Sequence, residues 1–254
     1  MSKPTPIKSL ITSLEILETL VELNGATVTD LATQLDIPKS TTHDHLRTLL
    51  EMQYVHKVDS AYYVTSRLLK LGVEVRNNHP IFSFVRSELP VVADEVGEHA
   101  SLMIEEGGYG VYVYIAEGKD TVDTVAPPGT RTQLHMTAPG KAILAHMPSE
   151  RREHIIDEHG LSAATNQTIT NYDDLLDELE TIKQNEYAVD QGELIEGYHG
   201  VAVPVLDRTN QVPLGAISVY NPGRRSTVGD FKDGSVDVLI RVANIIEINY
   251  AHAP

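Results

Sequence analysis

The amino-acid sequence predicts an α+β chain of two domains, three helices and a β-hairpin first and then an antiparallel sheet with helices between and after its strands. Three observations predict it. Apolar residues recur at helical spacing three times before residue 51, and two short Val- and Tyr-rich runs follow directly. From residue 99 onward, short strand-like runs punctuated by glycine turns are interleaved with amphipathic stretches, the pattern of an α+β domain. The charge divides after the hairpin: residues 1–72 hold 7 Lys+Arg against 8 Asp+Glu, and residues 73–254 hold 13 against 28.

The bulk composition narrows the class. With 254 residues, 41% of them hydrophobic, the chain is long enough for two packed domains. No apolar run reaches the roughly 18 to 20 residues of a membrane span, and the opening "MSKPTPIKSL" lacks a signal-peptide core, so a cytoplasmic protein with no membrane partner is expected. The absence of Cys excludes disulfides, thiolate zinc sites and cysteine nucleophiles. The net charge of -16 resides almost wholly in the second region. It fits a protein working in concentrated salt and, equally, an ordinary solubilising surface.

Taken in order, "IKSLITSLEILETLVELNG" places Ile7, Leu10, Ile11, Leu14, Leu17 and Val21 at helical spacing with Gly25 as a stop. "TVTDLATQLD" gives a second helix, capped by Thr27 or Thr29, with Val28, Leu31 and Leu35 on one face. The third helix, "IPKSTTHDHLRTLL", starts at Pro38 and turns Thr42, Leu46, Leu49, Leu50 and Gln53 to the core. "YVHKV" and "AYYVTS" around Asp59-Ser60 form a hairpin, completing the order of a winged helix-turn-helix domain over 1–72. Residues 73–98 are a linker and connecting helix in which Pro90 predicts a kink or two shorter helices. Over 99–254, strands are expected at "ASLMIEE", "GVYVYIAE", "TVDTVAP", "HGVAVPVLD" and "LGAISVYN". Helices are expected at "APGKAILAHM", "SERREHIIDEHG", "YDDLLDELETIKQN" and "VDVLIRVANIIEINYA".

The outer face of the third helix shows Ser40, Thr41, His43, Asp44, Arg47 and Thr48 where a plain solvent face would show Glu and Lys. Such side chains suit base edges in the major groove of double-stranded DNA: Arg47 can fork onto guanine and Asp44 can accept from a cytosine amine. Lys39, Lys57 and the hairpin tyrosine Tyr62, or its neighbour Tyr63, are placed to touch phosphate. Asp44 also has a rival reading as a solubilising charge. With few cations on this face, a shallow salt dependence of DNA binding is expected.

Four stretches carry a family resemblance: "IPKSTTHDHLRTL", "YYVTSRLLKLG", "LHMTAPGKAILA" and "GVAVPVLDRTNQVPLGAISVYNPGRR". In this order and spacing the chain resembles the IclR-type transcriptional regulators, and its acidity makes it look like a member from a halophilic archaeon. The resemblance implies a C-terminal GAF-like effector-binding domain and self-association as a homodimer or dimer of dimers, with the apolar stripe of the first helix as its seam. It also implies that Leu134, Met136, Ala138, Pro139, Gly140, Asp190, Gly200, Ser218 and Tyr220 line the pocket of a small-molecule effector, a carboxylate or related polar metabolite held partly by amides at a helix start. Asp190 has a rival reading as the cap of a turn at "DQG". Two departures stand out. The turn into the wing reads "EMQYV" without the usual Gly, and Gly200 stands where members often carry Cys, which predicts a roomier pocket.

Other chemistries are less favoured. Gly140-Lys141 is no phosphate loop, because Ala142 stands where Ser or Thr is needed. Eleven His residues show no i, i+4 metal-ligand pair among those considered, and neither metal nor cofactor is implied. The alternative function is a metabolite-processing enzyme with an N-terminal assembly domain. Against it stand the missing Cys, Gly-x-Ser-x-Gly elbow and dinucleotide turn.

Overall fold

Short helices closed by left-handed turns build the first unit. The structure, a computed structural model, describes residues 6–119, 126–223 and 228–253. They divide into two units, 1–78 and 79–254. Helices α1 (Lys8–Glu22), α2 (Val28–Gln34) and α3 (Lys39–Glu51) pack around Ile16, Leu20, Leu31, Leu46 and Val55. Thr27 caps α2 in a reciprocal box with Asp30, choosing between the two expected threonines. All three helices end on a residue with positive φ, Asn24, Asp36 and Gln53, none of them glycine. After α3, Tyr54 N donates to Leu49 O and Gln53 N to Leu50 O, the paired closure of a Schellman turn. Gln53 thus takes by itself the backbone form that a Gly would supply, and neither it nor the 39%-exposed Leu50 joins the expected core face.

Strands β2 (Val55–Val58) and β3 (Ala61–Val64) form the wing, and a two-residue strand β1 (Ala26–Thr27), too short for any periodicity to reveal, pairs with β3. Gly25 is needed beside it, since a Cβ there would fall 2.2 Å from the Tyr63 ring. Helix α4 (Arg67–Asn77) runs through the expected domain boundary at residue 72 and buries none of its residues.

The second unit is a six-stranded antiparallel sheet, order β6-β5-β4-β9-β8-β7, with helices on both faces. Its strands are β4 (His99–Glu106), β5 (Tyr109–Ala116), β6 (Arg131–Gln133), β7 (Ala188–Asp190), β8 (Tyr198–Leu206) and β9 (Pro213–Pro222). One face packs Leu102, Val203 and Val219 against α5 (Phe82–Val96) and α9 (Val228–Ala251). The other packs Met103, Ala202 and Ala216 against α6 (Ala138–His146), α7 (Ser149–His159) and α8 (Tyr172–Asn185). Alternation along each strand divides the side chains between these layers.

Three expectations about this unit change. Residues 79–98 belong to the packed second unit, with α5 contributing Val85, Leu89 and Val92 to its core. Pro90 lies inside one continuous helix, on its exposed side. The last helix begins at Val228, well before the expected start at Val236. The strand expected at "TVDTVAP" lies outside the described residues except for Ala126 and Pro127, and β6 and β7 went unpredicted.

Candidate functional site

Helix α3 is held by its inner side, where Thr42, Leu46 and Leu49 are buried and the Ser13 hydroxyl lies 2.7 Å from Nδ1 of His45. Facing outward are Lys39, Ser40, His43, Asp44, Arg47 and Thr48, all exposed, with Thr41 half-buried beside them. The Asp44 carboxylate is 3.6 Å from Arg47 Nη2 and 3.9 Å from His43 Nδ1. Exposed pairs of this kind are weak, so Arg47 is free to exchange this partner for a base. Thr48 Oγ1 donates to Asp44 O, which spends its proton and leaves its lone pairs. No side chain caps the start of α3, so its first amides remain open to an anion.

Lys57 is exposed on the wing. Tyr62 is a correction: only 5% exposed, it belongs to the core of the first unit, with Lys57 Nζ 5.2 Å from its ring centroid. Alternation along β3 turns Tyr63 the other way, half-buried and stacked on His56 at 5.5 Å.

In the second unit the expected effector residues do converge, on the sheet face toward α6. Gly200 is paired in register with Asp190 on β7 and with Tyr220 on β9, and Ser218 lies one step further along β9 on the same face. Leu134 and Met136 sit in a single turn of 3-10 helix that leads into α6, both buried. Thr137 then caps α6, its Oγ1 accepting from Gly140 N at 3.1 Å.

That cap revises the role given to the helix start. Pro139 has no N–H and the Gly140 amide is already bonded, so of the three expected amides only that of Ala138 is left to offer. Gly140 is a packing residue, since a Cβ would meet Leu134 O at 2.0 Å. The roomier pocket at Gly200 also gives way: the Tyr220 ring lies over it, 2.4 Å from where a Cβ would stand. Asp190 does hold a turn, its Oδ1 accepting from Gly192 N and Glu193 N. Burial pushes its carboxyl up, against those bonds and the nearby Lys141 charge.

Sequence reasoning missed the partners that complete this face. The Tyr112 hydroxyl from β5 donates to that of Tyr220 at 3.3 Å, and Ser101 from β4 lies 2.7 Å from Ser218. Desolvation raises both phenols well above their usual range, which keeps them neutral. Lys141 is 1% exposed and bound to Glu193 at 2.7 Å and Glu178 at 3.0 Å. The signal for Tyr112 was its inward phase in "GVYVYIA", and for Thr137 its place one residue before Ala-Pro-Gly. Only strand register joins them to Tyr220 and Gly140. Hydroxyl groups dominate the face, and the one buried cation among the described residues is committed to carboxylates. The face offers phenol, serine and threonine hydroxyls beside apolar Leu134 and Met136.

Comparison with known proteins agrees with this architecture. Residues 73–246 match the family described as bacterial transcriptional regulator IclR C-terminal, and residues 9–59 match the IclR helix-turn-helix domain. A Halobacterium salinarum protein named probable HTH-type transcriptional regulator ArcR is 30% identical over 250 residues, covering 97% of this chain and 95% of its own. The Thermotoga maritima IclR crystal structure is 28% identical, with a TM-score of 0.82 over 96% of this chain and 99% of that one. A Microbacterium hydrocarbonoxydans IclR homologue complexed with 4-hydroxybenzoate shares the fold, with a TM-score of 0.77 at 22% identity over 96% of this chain and 100% of that one.

Proposed function

The chain belongs to the IclR family of transcriptional regulators, pairing a helix-turn-helix DNA-binding domain with a C-terminal effector domain, and from that premise we propose how it reads and responds. Lys39, Ser40, Thr41, His43, Asp44, Arg47 and Thr48 enter the major groove, while Lys57 and the open amides of α3 rest on phosphate. The single observation that carries this reading is a helix anchored by three buried residues whose opposite face bears hydrogen-bonding groups and no second structural duty.

The protein works in the cytoplasm as a homodimer or dimer of dimers. The exposed Leu10, Leu14 and Val21 of α1, with Ile7 at its N-cap, supply an apolar stripe suited to such a seam. Two reading heads then require two related half-sites about 10 bp apart or a multiple of that. The effector is a small polar metabolite, a carboxylate or a relative. Tyr112, Tyr220, Ser101, Ser218 and the Ala138 amide hold it, and neutral phenols can donate to an anion. The 4-hydroxybenzoate bound to the Microbacterium homologue supports a ligand of that size. Regulation follows if the effector favours one arrangement of the reading heads over another.

The test is selection of genomic DNA fragments by the purified protein in molar KCl, followed by footprinting. Protection of two related half-sites, lost with Arg47→Ala plus Thr41→Ala, is the expected outcome. Equal enrichment by that variant overturns the assignment of α3. For the pocket, Tyr112→Phe and Ser218→Ala should each weaken an effector identified from the neighbouring genes by about tenfold. Unchanged affinity in both would move the effector elsewhere.

A further inference from the structure

A recess lies beyond β7, the strand that ends the sheet, between α8 and the first turn of α9. It encloses about 460 Å³, a metabolite-sized space rather than an ion-sized one. Tyr187, just before β7, and Val189 of β7, with Ile169 and Ile182, give it apolar walls, while Asp190 of the same strand turns toward the effector face. Glu178 and Glu193 also line it.

Glu193 is held rigidly. Its amide donates to Asp190 Oδ1 at 2.8 Å, its carbonyl accepts from Thr168 Oγ1 at 2.6 Å, and its Oε1 accepts from Lys141. Its Oε2 is buried and has no partner among the described residues, although the residue is only 7% exposed. An orphaned carboxylate oxygen in so ordered a network calls for a donor from outside it. The local charge agrees: Glu178 and Glu193 share a single ammonium, that of Lys141. At the other end, Lys232 is engaged by Asp233 at 3.3 Å and stands over the Tyr187 ring.

We propose that this recess binds the ammonium group of a small organic amine, which donates to Glu193 Oε2 and Glu178 while its carbon chain lies along Ile169, Ile182 and Val189. A carboxylate on the same ligand would meet Lys232, so amino acids of the ω-amino type are within the class. The site is distinct from the effector face.

The experiment is calorimetric titration of the full-length protein at fixed ionic strength with putrescine, 4-aminobutyrate and, as a shape-matched control, 1,4-butanediol. Saturable binding of at least one amine and none of the diol is expected. Glu178→Gln, at a partly exposed position, should weaken it about tenfold or more, and Thr181→Trp, placed to fill the recess from exposed α8, should abolish it. Affinity should also rise between pH 6 and pH 8, because burial, opposed by the Lys141 ammonium and aided by the Asp190 and Glu178 charges, pushes Glu193 up to about 7 and an ammonium requires its ionised form. Equal response to amine and diol, or amine binding unchanged in both variants, overturns the proposal.

Discussion

Single residues carry much of the specificity of this fold. Gln53 closes the reading helix in a left-handed conformation that costs a non-glycine residue about 1 kcal/mol. Gln53→Gly should therefore stabilise the N-terminal unit by about that amount in denaturant titration, and a loss would show that the side chain makes contacts worth more. Glu193 acts on stability in a pH-dependent way. Its carboxyl is raised from 4.5 to about 7, so the folded state binds the proton more tightly than the unfolded state does. The resulting contribution is fully present below about pH 4.5 and is lost as pH rises through about 7. Glu193→Gln should flatten the fall in stability across that window, measured by thermal unfolding between pH 5 and pH 7. An unchanged slope would assign the effect to other groups.

At the level of elements, local rules are obeyed where water allows an exception to be cheap. Helix α5 tolerates Pro90 because the proline is on the exposed side, opposite Val85, Leu89 and Val92. Pro90→Ala should stabilise the C-terminal unit by about 2 kcal/mol, a helix gain of about 3 less about 1 for the freer unfolded chain. No change in the denaturation midpoint would mean the helix already absorbs the break. The same physics set what could be read in advance. The main helices were legible because they repeat an apolar stripe over several turns, whereas β1, β6 and β7 span two or three residues and offer no period to detect. Tyr62 and Tyr63 could not be told apart by type, and only pairing of β3 with its neighbours decides which ring enters the core.

For the whole molecule, the contrast between a nearly neutral reading unit and a strongly acidic effector unit governs association with DNA. Few cations face the groove, so few condensed counterions are released on binding. Between 50 and 200 mM KCl, operator affinity should fall by less than about a hundredfold, against the thousandfold or more of a protein with six to ten phosphate contacts. A steeper slope by fluorescence anisotropy would reveal cationic contacts that α3 and the wing do not display. The site as a whole was legible only in part. The family resemblance pointed to Asp190, Gly200, Ser218 and Tyr220, but Tyr112 and Ser101 reach them through pairings across the sheet, which spacing in one dimension does not encode.

Helix α4 holds one more implication. It spans 11 residues and buries none of them, with Leu69, Leu71 and Val75 all in water. A helix so short is marginal on its own, because nucleation consumes most of what propagation returns. Leu68 and Arg67 tie its first turn to the first unit, so the order of the turns beyond them is conditional on something that covers them, and under the proposed assembly a lone protomer would carry at this joint a segment that frays and reforms. A frayed joint transmits no torque. Communication along the chain from effector to DNA would then be a collective property, absent from dilute protomers and acquired with assembly, so that cellular abundance sets whether the regulator can respond at all.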